Sequence, residues 1–138
     1  MFNFFRKQNE IPNFSIIKNY SKKDLYFSRS KKWDWLNDKQ IFLADNDSYG
    51  KIKMVTLDFW SQEMFLDANG QKTMTEYLTI LINQFQKNKM EIPTDLDTFM
   101  IETLESLNND LNAIEFSDFP IKIAPEFDNS LTEQSMKN

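Results

Sequence analysis

The sequence predicts a single α+β domain in which three consecutive helices follow a small antiparallel sheet. A chain of 138 residues is enough for one domain with its own core. Apolar residues recur at helical spacing through much of residues 58–123, which we take as the helical core, and short strand-like stretches precede it in a β region over residues 14–57. We expect an N-terminal arm over residues 1–13 and a loosely ordered tail over residues 124–138.

The composition excludes several kinds of catalytic and metal site. The chain has no cysteine and no histidine, and only 2 of its residues are glycine. Disulfides, thiolate or imidazole metal ligands and nucleophiles activated by histidine are therefore excluded, and a glycine-rich phosphate loop is not supported. We expect no catalytic residue, no metal and no cofactor.

The composition also bears on location. An absence of cysteine fits a reducing cytoplasm, and no apolar run approaches the roughly 18 residues of a membrane-spanning helix. The first seven residues lack the apolar stretch of a secretory signal. We therefore expect a cytoplasmic protein that does not bind membranes. Phe2, Phe4 and Phe5 either dock on the body, which is the favoured alternative, or contact a partner or a membrane, for which two basic residues are too few.

The β region opens with two strand-compatible stretches, Phe14–Ile17 and Leu25–Phe27. Trp33 and Trp35 follow two positions apart, so on a strand their rings share one face and Asp34 lies opposite. A basic run lies just before the pair and consists of Lys22, Lys23, Arg29, Lys31 and Lys32. The rings either cover the core or stack on nucleic-acid bases while the cations bind phosphates.

A β-hairpin is predicted from Ile41–Leu43 and the alternating stretch Ile52–Leu57, with a long polar connection between them. The connection contains Asp45, Asn46 and Asp47, which resemble a fragment of a calcium-binding loop. The other oxygen ligands and the closing glutamate are missing, so we interpret it as an acidic turn.

Capping residues and apolar spacing predict the three helices. The first runs from Phe59 to Ala68, with Asp58 as its cap and Gly70 beyond its end. The second begins at Thr73, which forms a capping box with Glu76. The third begins near Pro93-Thr94 and ends at Asn108-Asn109. The core-facing side of the first helix is formed by Trp60, Met64 and Phe65. That of the second is formed by Met74, Tyr77, Leu78, Leu81, Ile82 and Phe85, and that of the third by Leu96, Phe99, Met100, Thr103, Leu104 and Leu107.

Two short strands, Ile114–Phe116 and Ile121–Ile123, are predicted after the third helix. A hairpin behind a helix-turn-helix has the form of a wing, so the full prediction is a three-helix winged-helix-like core with an N-terminal antiparallel sheet and a C-terminal wing.

The segments DANGQKTMTEYL and IPTDLDTFMIETLESLNNDLNAIEF, behind predicted strands, carry a resemblance to a known family. Over roughly residues 41–116 the chain resembles the PqqD-like winged-helix family, whose members recognise peptides for enzymes that modify ribosomally made peptides. The positions that match are Asn69, Gly70, Thr73, Leu104, Leu107 and Ile114. The resemblance implies that a peptide adds as an extra strand to the edge of the N-terminal sheet, beside the third helix.

Charge is distributed unevenly along the chain. Residues 1–53 carry 11 basic and 6 acidic side chains, whereas residues 54–138 carry 5 basic and 15 acidic ones. The two halves either attract each other within one fold or meet charged partners. The predicted third helix holds five acidic residues and no basic one between Thr94 and Asp110, which argues against its use as a DNA-reading helix.

These observations favour a non-catalytic module that binds a peptide or protein partner with a basic segment. The alternative is an acidic immunity- or antitoxin-like protein that masks a basic partner. An enzyme is disfavoured because Asp95 and Asp97 do not share a helix face. Glu102 and Glu105 do share one, but solvated helix charge explains them better.

We expect the partner to contact the N-terminal sheet edge at Ile41, Phe42 and Leu43, together with Trp33 and Trp35. The adjoining face of the third helix, with Glu102 and Glu105, would favour a basic segment. Open strand edges accept further strands, and exposed tryptophan is common at binding hot spots. The competing expectation is that residues 1–13 cover this edge.

Overall fold

The computed structural model describes residues 10–46 and 49–136, which form a mixed α+β fold. The helices are α1 (Ser15–Lys18), α2 (Phe59–Asp67), α3 (Met74–Lys87), α4 (Leu96–Asn109), α5 (Pro125–Asp128) and α6 (Leu131–Met136). The strands are β1 (Tyr26–Arg29), β2 (Lys32–Trp35), β3 (Ile41–Asn46), β4 (Ile52–Thr56), β5 (Asn69–Thr73) and β6 (Ile114–Ser117). The α+β class predicted from the sequence is confirmed.

The three longer helices, α2, α3 and α4, lie where spacing and caps predict them. Asp58 Oδ1 accepts from the backbone N of Ser61 at 2.9 Å and caps α2. At the start of α3, the N of Glu76 donates to Thr73 Oγ1 at 3.1 Å and the N of Thr73 donates to Glu76 Oε1 at 2.9 Å. These bonds complete the capping box and satisfy N–H groups that have no partner within the helix.

The apolar faces of these helices form the core. Its buried members include Met64, Phe65, Met74, Tyr77, Leu78, Leu81, Met100, Leu104 and Leu107. Helical spacing also predicts Phe99 in this core, but 40% of its surface is exposed. Phe99 lies instead on the flank of α4 that faces Trp60 of α2, with ring centres 6.0 Å apart.

The strands of the described residues form two antiparallel sheets of three, ordered β2-β3-β4 and β5-β1-β6. The predicted hairpin is β3 and β4, with Leu43 opposite Val55, and β2 pairs with the other edge of β3. β1 also lies within the predicted β region of residues 14–57, but it joins the second sheet, which packs with the helices.

The sequence does not predict β5, because Asn69–Thr73 has few residues with high strand propensity. It forms by pairing with β1, where Tyr26 lies opposite Thr73. Gly70 has φ of +78°, and a Cβ atom there would lie 2.2 Å from the backbone O of Ile121. Gly70 therefore has the left-handed conformation predicted for it, but within a strand that another backbone approaches closely.

The predicted C-terminal wing is wrong. Ile114–Phe116 does lie in a strand, β6, but that strand pairs with β1 from Tyr26 opposite Ser117 to Arg29 opposite Ile114. Residues 121–123 lie in no strand. The N of Ile121 donates to the O of Gly70 at 2.9 Å, so this stretch is held beside β5 and not as a hairpin with β6.

The stretch Phe14–Ile17 is not a strand either, since most of it forms the one-turn helix α1. Phe14 and Ile17 are buried, and the N of Ile17 donates to Asp97 Oδ2 of α4 at 3.0 Å. Asp97 thus serves the start of α1, where Phe14 at the cap position offers no side-chain acceptor. Packing on α4 overrides the strand propensity of these residues.

The predicted loose tail spans residues 124–138, of which residues 124–136 are described; these form α5 and α6 and attach to both sheets. Arg29 is buried in the second sheet and donates to Asp128 Oδ1 at 2.6 Å. Trp33 Nε1 donates to the O of Phe127 at 2.9 Å. The segment looks unstructured in sequence because it has few apolar residues, and the attachments shown here are hydrogen bonds and an ion pair.

Residues 1–9 lie outside the described part of the chain. The predictions that Phe2, Phe4 and Phe5 dock on the body and that the N-terminal arm covers a sheet edge concern these residues. Among the described residues, none of the helices has the length and the apolar composition needed to cross a membrane.

Candidate functional site

Trp33 and Trp35 lie on one face of β2, as their spacing predicts, with ring centres 6.0 Å apart in an edge-on contact. Trp33 is only 5% exposed and packs against Phe65 of α2. Trp35 is 44% exposed. Trp33 therefore belongs to the core, and of this pair Trp35 alone is accessible to a partner.

Ile41, Phe42 and Leu43 lie in β3, the middle strand of its sheet. Both edges of β3 are paired, and the N of Ile41 donates to Gln62 Oε1 at 2.9 Å. The expectation of an open edge at these residues is therefore wrong. The outer strands of this sheet are β2, which contacts α5 and α6, and β4, on which Ile52 and Met54 are well exposed.

Glu102 and Glu105 lie on α4, which packs mainly against α1, α2, α3 and β6. Glu105 Oε1 accepts from Lys22 Nζ at 3.0 Å, whereas Glu102 is exposed. The site residues predicted from the sequence are thus divided between the β2-β3-β4 sheet and the surface of α4.

Several side chains of the basic run before Trp33 form contacts within the protein. Lys31 Nζ lies 2.8 Å from Asp45 Oδ2. Arg29 is buried, and burial lowers its pKa although the charge of Asp128 opposes that shift. Cations held in this way are not displayed as a surface for phosphates, so the contacts favour the structural interpretation of this run over the nucleic-acid one.

A concave groove with apolar walls lies between α2, α3 and α4. We call it the Trp60 groove and define it by Phe59, Trp60, Glu63, Asp67, Tyr77, Gln84, Phe85, Asn88, Asp95 and Phe99. The indole of Trp60 stacks on Phe85 at 6.4 Å and meets Phe59 and Phe99 edge-on at 5.3 and 6.0 Å. Phe59 is 63% exposed, so aromatic surface from three helices faces solvent here.

The Trp60 groove has two main lobes that share Trp60. The apolar lobe, of about 290 Å³, is lined chiefly by Trp60, Phe85 and Phe99, with Asp95 also in its wall. The polar lobe, of about 300 Å³, is lined by Trp60 together with Phe59, Glu63, Asp67, Tyr77, Gln84 and Asn88. The groove therefore offers aromatic surface throughout and carboxylates mainly on one side.

Asp67 in the polar lobe already has partners within the chain. The Tyr77 hydroxyl donates to Asp67 Oδ2 at 2.7 Å. Burial, reinforced by the charge of Asp67, raises the pKa of Tyr77, so the phenol stays protonated as a donor at neutral pH. Lys72 Nζ lies 5.7 Å from the centre of the Tyr77 ring, and the charge of Asp67 partly offsets the lowering of the Lys72 pKa by burial.

Glu63, one helical turn before Asp67, differs from Asp67 in its contacts. Within the described residues its carboxylate makes no hydrogen bond or ion pair. Partial burial raises the pKa of Glu63, and the negative charge of Asp67 raises it further. A cation placed in the polar lobe would relieve both effects.

The arrangement suits binding. Aromatic faces take up apolar groups and cations, and carboxylates add selectivity for positive charge. The described residues include no group of three or more acidic, histidine or cysteine side chains that could hold a metal ion.

The groove is not evident from the sequence, because Trp60, Phe85 and Phe99 each lie on the predicted apolar face of a different helix. One feature of the sequence does indicate an exposed ring here, namely that Phe59 and Trp60 are adjacent. Two adjacent large rings on a helix point about 100° apart, so one of them is expected to leave the core.

Comparisons of the chain with protein-family models, with curated proteins and with solved structures found no match. The resemblance to PqqD-like proteins therefore stays a prediction.

Proposed function

We propose that the protein is a non-catalytic module that binds a peptide or protein segment in the Trp60 groove. The observation that carries the proposal is the continuous aromatic surface around Trp60, where Phe59 and Phe99 are 63% and 40% exposed. Single exposed apolar side chains are normal, whereas a concave cluster is typical of an interaction surface.

The geometry suits a side-chain anchor. Buried aromatic contacts dominate the energy of many interfaces, and grooves between helices accept peptide segments through such anchors. The apolar lobe, at about 290 Å³, has room for one large hydrophobic side chain between Phe85 and Phe99. We therefore propose that an apolar residue of the partner occupies this lobe.

Peptide recognition is also what the PqqD-like resemblance implies, including presentation of a peptide to a modifying enzyme. The proposal uses only the helices of the predicted winged-helix arrangement, because β6 pairs with β1 and does not form a wing. If a peptide strand is added to a sheet, the edge of β4 is better placed than Ile41–Leu43. β4 ends at Thr56, about 10 Å or less along the chain from Phe59.

The alternative, an immunity- or antitoxin-like protein that masks a basic partner, is favoured by one observation. Three carboxylates line the groove, Glu63, Asp67 and Asp95, and no lysine or arginine is among its defining residues. In that case a folded basic protein would bind, whereas short peptides would not.

A display selection tests the proposal. A library of random peptides is selected on the immobilised protein, and enriched peptides are titrated against variants. Phe99→Ala and Phe59→Ser should each weaken binding by about tenfold or more, because both remove exposed aromatic surface. Trp35→Ala is the matched control, an exposed aromatic residue outside the groove, and should bind normally.

Two results would contradict the proposal. One is a selection that enriches no peptide. The other is binding that Trp35→Ala abolishes and the two groove variants leave intact. Thermal melts of all three variants establish that any loss of affinity occurs in folded protein.

A further inference from the structure

The two lobes of the Trp60 groove differ in charge, and this difference indicates what the ligand carries. We propose that the polar lobe receives an arginine or lysine side chain of the same ligand whose hydrophobic side chain occupies the apolar lobe. This inference rests on the proposed function and adds a requirement for a basic residue.

The first support is electrostatic. Glu63 and Asp67 both line the polar lobe, and its lining includes no lysine or arginine. Asp67 is engaged by the Tyr77 hydroxyl and lies near Lys72. Glu63 makes no such contact within the described residues, so it is the carboxylate that an incoming cation would pair with.

The second support comes from the aromatic walls. Trp60 and Phe59 line the same lobe as the carboxylates, and Phe59 is 63% exposed. The faces of aromatic rings attract cations, and tryptophan does so most strongly. A guanidinium group stacks on a ring and forms two parallel hydrogen bonds to a carboxylate, whereas an ammonium group cannot do both equally well. We therefore expect arginine to be preferred over lysine.

The third support is spacing. Both lobes include Trp60 in their lining, so one indole side chain connects them. In an extended peptide, residues two positions apart lie on the same side about 7 Å apart, a distance comparable with the width of an indole ring. The basic residue should therefore lie two positions from the hydrophobic anchor.

The experiment compares peptide selections on the wild type, on Glu63→Gln and on Glu102→Gln, using one random library. Glu102→Gln is the matched control, because it removes an equal charge from an exposed site on α4 that does not line the groove. The wild type and the control should enrich arginine or lysine two positions from an apolar residue. Glu63→Gln should enrich the apolar residue without the basic one.

A selected peptide is then titrated in parallel with its Arg→Gln form. The change in the peptide should weaken binding to the wild type about fivefold, as expected for one partly exposed charge pair, and should change binding to Glu63→Gln much less. Equal losses with both proteins would show that the arginine does not meet Glu63 and would overturn the inference.

The outcomes separate the two proposals. If the wild type enriches apolar residues with no basic preference, this inference fails while the proposed function stands. If no peptide binds through the groove, the proposed function and this inference are both wrong. If Glu102→Gln loses the basic preference as fully as Glu63→Gln does, general charge and not the polar lobe is responsible, and the inference is wrong.

Discussion

The two flanks of α4 are built from similar residue types but are completed differently. On the flank towards α1, Asp97 accepts from the N of Ile17 at 3.0 Å and Glu105 accepts from Lys22 at 3.0 Å. On the flank towards α2, Phe99 meets Trp60 edge-on and remains 40% exposed. The first flank is closed by the chain itself, and the second is left open as the wall of the Trp60 groove.

The closed flank has one polar group that is not satisfied in the same way. The Tyr20 hydroxyl is buried near the Glu105 carboxylate, but within the described residues it is not positioned to form a hydrogen bond. Burial, together with the nearby carboxylate of Glu105, raises the pKa of Tyr20, so it remains a neutral phenol. An uncharged hydroxyl is far less costly to bury than an unpaired carboxylate.

This difference between the flanks connects stability with function. Residues of the closed flank, and of the core beside it, should affect folding when they are changed. Residues of the open flank should affect binding and change folding much less, because much of their surface already faces solvent.

Leu104→Ala should give the largest loss of stability, about 2–5 kcal/mol, because Leu104 is fully buried between the helices and the change leaves a cavity. Phe99→Ala, on the open flank of the same helix, should cost less than half as much. Urea denaturation followed by circular dichroism measures both. Equal losses for the two variants would show that the two positions are equally part of the core.

Asp97→Ala should destabilise the protein by about 1–3 kcal/mol. Asp97 is 2% exposed, and its removal leaves the N–H of Ile17 buried without an acceptor. The matched control is Asp95→Ala, two residues earlier, whose exposed side chain makes no capping bond and lines the apolar lobe. The control should stay within about 0.5 kcal/mol of the wild type. The division between the flanks is wrong if the two variants have the same denaturation midpoint.

Much of the helical core is predictable from sequence, because its evidence is local. The capping box of Thr73 and Glu76 and the apolar period of α3 and α4 lie within a few residues of one another. β5 and α1 are different. Gly70 enters a strand only because β1 is beside it, and Ile17 becomes helical where Asp97 can accept from its backbone. Such contacts join residues far apart in the sequence.

The candidate site was predictable only in part. The two tryptophans of β2 do share a face, yet burial of Trp33 depends on Phe65 and on the O of Phe127, which local spacing cannot reveal. The groove depends on the relative placement of three helices. Periodicity assigns Phe85 and Phe99 to apolar faces but does not say which part of each face remains uncovered.

Of these substitutions, Glu63→Gln should change the free energy of unfolding least, and it should stabilise the protein where the others destabilise it. Burial and Asp67 raise the pKa of Glu63 in the folded state, so the folded protein binds its proton more tightly than the unfolded chain does. The charged form therefore disfavours folding at neutral pH, and this penalty disappears as the pH falls through the raised pKa. Glu63→Gln should be equal to the wild type or more stable by up to about 0.5 kcal/mol at pH 7.

The pH dependence provides the check on this sign. Thermal melts of the wild type and Glu63→Gln between pH 4 and pH 7 should differ most at pH 7 and converge towards pH 4. A variant that is clearly less stable than the wild type at pH 7 would indicate that Glu63 has a stabilising partner, and the polar lobe would then hold no unpaired carboxylate.

Fluorine NMR of protein labelled with 5-fluorotryptophan can locate the bound ligand, because the chain has three tryptophans in three environments. Trp33 is buried, Trp35 is exposed on the β2-β3-β4 sheet, and Trp60 lies at the centre of the groove. Tryptophan-to-phenylalanine variants assign the three resonances. Titration with a selected peptide should shift the Trp60 resonance in proportion to binding and leave those of Trp33 and Trp35 in place. A shift of Trp35 with no change at Trp60 would place the ligand on the sheet and contradict the account.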